Sequence, residues 1–198
     1  TVMSVNLLMV NDQTAPILRQ IGQSDPEILI LQEYTSFWHA ELQSALGDEY
    51  PYWCSIQRED SFGSAIYSRR PFAGDPQRGF VLSDGWQPLI RAVVQIDGRD
   101  IAIYNVHLLP PRRYDYTIVW RRHFADVLGL LEEEALPVIL AGDFNFTDNS
   151  VFADDLRRAG FRSAYSIAGW GRGWTWPALD SLWWFPACGS TTCTSAVV

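Results

Sequence analysis

Pro137-Val138-Ile139-Leu140-Ala141-Gly142-Asp143-Phe144-Asn145 is the stretch on which the reading of the chain turns. Its apolar start, β-branched at Val138 and Ile139, has the length and composition of a buried strand. It ends by delivering a carboxylate and a carboxamide two positions apart. Side chains at i and i+2 of an extended segment point to one side. That sets Asp143 and Asn145 toward one cleft and Phe144 into packing. Asp and Asn are also ordinary turn formers at a strand's end, so this stretch alone does not establish a site. Other strand ends decide it.

Working outward, residues 101–108 read as a strand closing on His107, and residues 28–31 as a buried strand leading into Gln32-Glu33. Residues 1–10 read as a first strand that contains Asn6, with further strands at 52–57 and 64–68. Residues 89–96 pair with 101–108 as a hairpin turning at Asp97-Gly98. Between the strand groups lie helices. One is expected at 15–22, with Thr14 as its N-cap, and another at 36–46, with Trp38, Leu42, Ala45 and Leu46 on one face. The strongest helical period runs over 114–131, where Trp120, Phe124, Val127, Leu128 and Leu131 recur at 3.6-residue spacing. A short helix at 151–159 and an aromatic-rich tail complete the chain. Strands outnumber helices, which predicts an α+β fold of sheets packed inside helices.

With 47% hydrophobic residues among 198, the chain can bury one sizeable core, and it shows no linker or repeat. No apolar run approaches the ~20 residues of a membrane-spanning helix, and no signal-peptide pattern opens the chain. Thr1 enters directly into strand-like sequence, which is compatible with a leader or anchor ahead of it; the localisation stays open. The net charge is −8, and all 15 basic residues are Arg. An acidic chain is a poor generic binder of polyanions, because such affinity leans on phosphate neutralisation. Local Arg clusters at 69–70, 112–113 and 121–122 remain candidates to steer a phosphate, Arg121 among them. Cys54, Cys188 and Cys193 have neither zinc-ligand spacing nor the look of a disulfide framework.

Asn6, Glu33, His107, Asp143 and Asn145 thus all fall on or just after apolar strands, where a sandwich gathers them at one rim. Singly, each has a structural explanation: a strand-end histidine, a helix-capping glutamate, a loop-closing asparagine. Together they suit chemistry on a phosphate ester. Glu33 suits a hard cation such as Mg²⁺, which takes oxygen ligands and keeps several waters. His107 suits hydrogen bonding to a phosphoryl oxygen. Asp143 suits orienting or deprotonating a water, and Asn145 suits holding that water or a phosphate oxygen.

Five segments, in order, resemble the endonuclease/exonuclease/phosphatase (DNase I-like) superfamily of metal-dependent phosphoesterases. They are Ser4-Val5-Asn6-Leu7-Leu8, Ile30-Leu31-Gln32-Glu33, Gly63-Ser64-Ala65-Ile66-Tyr67-Ser68, Asn105-Val106-His107 and Gly142-Asp143-Phe144-Asn145. The resemblance covers residues 1 to 186 and implies a four-layer α/β/β/α sandwich with the active site at one rim. It implies Mg²⁺ or Mn²⁺ near Glu33 and Asn6, with His107, Asp143 and Asn145 around the scissile phosphate. Gly171-Arg172-Gly173-Trp174-Thr175-Trp176-Pro177 resembles the loop that lines the family's site, which would make Trp176 a substrate wall; core packing explains it equally well. Some relatives with this arrangement carry an N-terminal membrane anchor.

The family pattern then requires an Ile-Asp-His strand and a final Asp-His pair, and neither follows Pro186. The tail at 187–198 instead begins Ala187-Cys188-Gly189-Ser190-Thr191-Thr192-Cys193. With suitable third bases, adding one C to a C-run at Pro186 makes the gene read Phe-Pro-Gly-Leu-Arg-Ile-Asp-His-Val-Tyr-Val, the strand the family places here. The tail is therefore expected to be out of frame and the sandwich to lack its last strands. Three expectations follow: weak or absent activity, a metal-site remnant, and an exposed sheet edge inviting a homodimer. The substrate is expected to be a phosphodiester or phosphomonoester, with nucleic acid, a small ester and a lipid phosphate all open. The alternative is a non-catalytic binding module that keeps the fold.

Overall fold

The computed structural model of the protein describes residues 1–82, 87–147, 149–169 and 195–196. The chain runs through β1 (Val2–Asn6), α1 (Thr14–Ser24), β2 (Ile28–Gln32), α2 (Ser36–Leu46), β3 (Tyr52–Ile56) and β4 (Ser64–Ser68). Next come β5 (Gln77–Val81), β6 (Pro88–Ile96), β7 (Arg99–His107), α3 (Tyr114–Glu132) and β8 (Val138–Asp143). After these stand α4 (Val151–Arg158), β9 (Arg162–Ser163), α5 (Ala164–Ala168) and β10 (Ser195–Ala196). One sheet has the order β1-β2-β4-β3 and the other β5-β6-β7-β8-β10-β9. β1 runs parallel to β2 and β7 parallel to β8; the other pairings are antiparallel.

Side-chain alternation along β2 explains the layering. Ile28 and Ile30 join Ile66, Ile90, Val94, Ile103 and Ala141 in a cluster between the two sheets. Leu29 and Leu31 face the other way, against Ile21 of α1 and Trp38 and Leu42 of α2. Both faces are covered, so the strand is a continuous apolar run rather than an alternating one. On the far side, Trp120, Phe124 and Val127 of α3 and Leu156 of α4 pack on Tyr104, Val106, Val138 and Leu140. Three apolar interfaces make four layers, the α/β/β/α sandwich expected from the sequence.

Local chemistry sets the element ends. The Thr35 hydroxyl accepts the Trp38 N–H at the start of α2, and the Ser150 hydroxyl accepts the Ala153 N–H at the start of α4. α1 departs from expectation: Thr14 is its first helical residue, and the N-cap Gln13 makes no side-chain cap. The turn between β6 and β7 has positive φ at both Asp97 and Gly98, the backbone a tight hairpin requires. β5 was not visible in the sequence, because a register shift between Arg78 and Phe80 interrupts its period. Of the tail, Ser195–Ala196 lies beside β8, opposite Leu140 and Ile139, with β9 beyond it. The edge expected to be bare is thus covered over two residues; the rest of it has no strand partner among the described residues.

A buried ion pair ties the second sheet to the α3–β8 connection. Glu134, with only 6% of its side chain exposed, accepts from Arg91 Nε at 2.7 Å and Tyr104 Oη at 2.7 Å. Its other oxygen accepts the Leu136 N–H at 3.1 Å. Burial alone would raise the Glu134 pKa, but these hydrogen bonds outweigh it and hold the carboxyl at about 2. Glu134→Gln is expected to cost about 3 kcal/mol near neutral pH, because it strands the Arg91 charge. A depressed carboxyl stabilises the fold above its unfolded pKa. The difference between wild type and variant should therefore shrink as pH falls from about 4.5 toward 2. Urea denaturation of both proteins across that range measures it.

Candidate functional site

Parallel pairing of β1 with β2, and of β7 with β8, brings four carboxyl-terminal strand ends to one rim. Asn6 is the last residue of β1 and Glu33 follows β2 directly. His107 closes β7 and Asp143 closes β8, and the two are register partners. The amide Nδ2 of Asn6 donates to Glu33 Oε1 at 3.0 Å and to Asp143 Oδ2 at 3.2 Å. One carboxamide therefore bridges carboxylates carried by different sheets. His107 Nε2 stands 4.0 Å from Asp143 Oδ2, and its Nδ1 is buried with no hydrogen-bond partner among the described residues.

Backbone groups finish the arrangement. The Met9 N–H donates to Glu33 Oε2 at 2.8 Å, and the Leu8 N–H donates to Asn6 Oδ1 at 2.9 Å. Because an N–H can only donate, the second bond fixes which end of the Asn6 amide is oxygen. Asn6 thus turns its NH₂ toward the carboxylates, and its oxygen is already engaged. Leu8, Glu33 and Asn145 all have φ between 53° and 58°. For leucine this left-handed backbone is unfavourable, and it lies within the loop that aims Met9 N–H at Glu33. The ring of Phe62 stacks at a tilt against His107, 5.5 Å between centroids. Residue type carries no signal for Met9, whose contribution is its backbone, or for Phe62.

Asp143 and Asn145 lie close together, but not as an extended i/i+2 pair. Asp143 Oδ1 accepts the Asn145 N–H at 3.0 Å, an Asx-type turn that places Asn145 in the left-handed region. Asn145 Nδ2 donates to the Leu108 carbonyl at 2.8 Å, fastening this turn to the loop after His107. Phe144 is fully buried, as expected. Arg121 is exposed on α3 with its guanidinium 6.0 Å from the Phe152 ring centroid, and no hydrogen bond or ion pair among the described residues joins it to the rim cluster. Trp176 lies outside the described residues.

A divalent cation fits the chemistry of the rim. Two carboxylates converge on a single amide donor, and the His107 ring stands beside one of them, its Nε2 4.0 Å from Asp143 Oδ2. No group of three His, Cys, Asp or Glu able to hold a metal occurs among the described residues. A hard cation that retains several waters suits so sparse a donor set, whereas a closed cage would not.

A family model described as the endonuclease/exonuclease/phosphatase family matches residues 3–193. No curated protein matches the chain. Among solved structures, an endonuclease/exonuclease/phosphatase from Beutenbergia cavernae superposes with a TM-score of 0.68 at 17% identity, covering 83% of this chain and 54% of that one. D. rerio TDP2 complexed with a single-strand DNA product gives 0.68 at 16% identity, covering 86% and 71%. Sphingomyelinase C from Streptomyces griseocarneus gives 0.63 at 17% identity, covering 82% and 70%. The chain spans about half the length of the Beutenbergia protein, and at these identities the likeness is one of fold.

Proposed function

The chain belongs to the endonuclease/exonuclease/phosphatase family, and from that premise we propose that it hydrolyses a phosphate ester at the rim shared by its two sheets. The observation that carries this reading is the Asn6 amide held between Glu33 and Asp143, with His107 beside Asp143. Glu33 would hold Mg²⁺ or Mn²⁺, with Asn6 orienting its carboxylate. When bound, such a cation neutralises charge on the phosphoryl oxygens. Asp143, fixed by the Asn145 N–H and by Asn6, takes the proton of a water placed beside it. His107 donates a hydrogen bond to a phosphoryl oxygen as charge builds there. Asn145 spends one amide hydrogen on Leu108 and offers the rest of its carboxamide to the water or the phosphate.

The acidic surface disfavours long duplex nucleic acid and favours a small phosphodiester, a phosphomonoester or a lipid phosphate. The TDP2 complex with single-strand DNA product keeps a single-stranded end among the candidates. Residues 187–198 do not carry the Ile-Asp-His strand of the family pattern, which favours impaired turnover, since positioned acid–base groups contribute about 10²- to 10⁴-fold. The same feature favours, as a second reading, a binding module without chemistry. Hydrolysis of bis(4-nitrophenyl) phosphate is expected to be weak, to require Mg²⁺ or Mn²⁺, and to vanish in Glu33→Gln. Thermal unfolding should shift upward with either ion in wild type but not in that variant. A melting temperature that neither ion moves supports the binding module, and turnover matching an intact relative refutes the impairment.

A further inference from the structure

Just beneath the rim, the two sheets are joined by side-chain amides as well as by apolar packing. Gln32 at the end of β2 and Asn105 in β7 are both 0% exposed. Asn105 Nδ2 donates across the sandwich to the carbonyls of Leu31 at 2.8 Å and Ala65 at 3.0 Å. Its Oδ1 accepts from Gln32 Nε2 at 2.8 Å, and the second hydrogen of that nitrogen reaches Ser4 Oγ at 3.3 Å. Every donor of the pair is therefore used. Fully satisfied buried networks of this kind favour a single arrangement.

Apart from the Asn6–Asp143 bond at the rim, these two amides sit over an apolar inter-sheet contact that includes Ile28, Ile30, Ile66, Ile90, Ile103 and Ala141. Apolar contact is non-directional and does not by itself select one sliding position. The amides do, and their place in the chain gives this a consequence. Glu33 follows Gln32, Asn6 lies two residues after Ser4 in β1, and His107 lies two residues after Asn105 in β7. We propose that Gln32 and Asn105 are positioning residues, a clamp that locks the two sheets in the register at which Glu33 and Asn6 of one meet His107 and Asp143 of the other. Its effect on chemistry rests on the phosphoesterase reading; its effect on register rests on geometry alone.

The test is the double variant Gln32→Met with Asn105→Leu. Removing both partners avoids leaving one amide buried and unpaired, so the fold is expected to survive. In its crystal structure the 3.2 Å contact between Asn6 Nδ2 and Asp143 Oδ2 should be lost. Titration with Mn²⁺ alone should show affinity weaker by about 10- to 100-fold, the usual cost of losing groups that orient a metal ligand. Far below the melting temperature, kcat should fall while KM stays nearly constant, a split that a purely stabilising role would not produce. If the double variant does not fold, Gln32→Met alone removes one of the three inter-sheet amide bonds and leaves Asn105 both carbonyl acceptors, so Mn²⁺ affinity and kcat should fall in the same direction by a smaller factor. A folded variant that keeps the Asn6–Asp143 contact and wild-type Mn²⁺ affinity overturns the clamp. Wild type that binds no Mn²⁺ counts against the functional reading instead, and the crystallographic contact then decides the clamp.

Discussion

Asp143→Asn is expected to lower kcat on a phosphodiester by about 10²- to 10⁴-fold while the protein remains folded. The substitution keeps the shape of the side chain and removes its capacity to take a proton. It also disrupts the local bonding. Oδ1 of Asp143 accepts the Asn145 N–H and Oδ2 accepts Asn6 Nδ2, so both oxygens serve as acceptors. An amide supplies one acceptor, and whichever way it turns, its NH₂ meets another donor. The side chain is partly solvated, 18% exposed, so the stability cost should be modest, about 1–3 kcal/mol for unmet acceptor positions. Single-turnover hydrolysis, with a melting curve of the same preparation, separates the two effects. A variant that turns over like wild type removes Asp143 from the chemistry.

Gly142→Ala should have the largest effect on stability. Gly142 has φ of 141°, a region closed to residues with a side chain, and pairs with Val106 of the neighbouring parallel strand. A Cβ built there would lie 1.8 Å from the Val106 carbonyl oxygen and 2.7 Å from its carbon. These obstacles are backbone, so β8 would have to move away from β7. Strain and overpacking together are expected to cost about 4 kcal/mol, a large share of a typical folding free energy. The displacement falls between His107 and Asp143, so the site should open as well. Urea denaturation reads the cost directly, and an unchanged midpoint would mean that the strand pair tolerates a methyl group there.

The central elements were legible because their apolar patterns are uninterrupted. β2 and β8 are short apolar runs bounded by polar residues, and α3 keeps its 3.6-residue period from Trp120 to Leu131. β5 was hidden by the register shift between Arg78 and Phe80, and α5 and β9 are too short to carry a period. At the site, the sequence identified the polar residues that end strands, since parallel strands send those ends to one rim. It did not show how they are held. The i/i+2 argument placed Asn145 on an extended backbone, whereas the Asp143 side chain captures the Asn145 N–H and turns the chain into the left-handed region. Nor did residue identity reveal that Asn6 presents nitrogen rather than oxygen to the carboxylates, because a backbone N–H two residues later decides it. Asn105 was read as part of a strand and of the Asn105-Val106-His107 segment, and its reach into the opposite sheet is a long-range contact that no local pattern encodes.

The meeting of four strand ends at one rim also bears on how the protein can diverge. Asn6, Glu33, His107 and Asp143 sit at or just after the last ladder position of their strands. Beyond Asn6 and His107 the chain leaves the sheets in partly exposed loops before α1 and α3, where residues can be added or lost without crossing a sheet. Lengthening residues 10–13, 57–61 or 109–113 would reshape the surroundings of the proposed site and leave in place the Leu8, Met9, Phe62 and Leu108 contacts that hold the polar residues. Reactive groups anchored on strands and selectivity carried by loops can then drift at different rates, so descendants of one ancestor can take up unlike phosphate esters without rebuilding the chemistry.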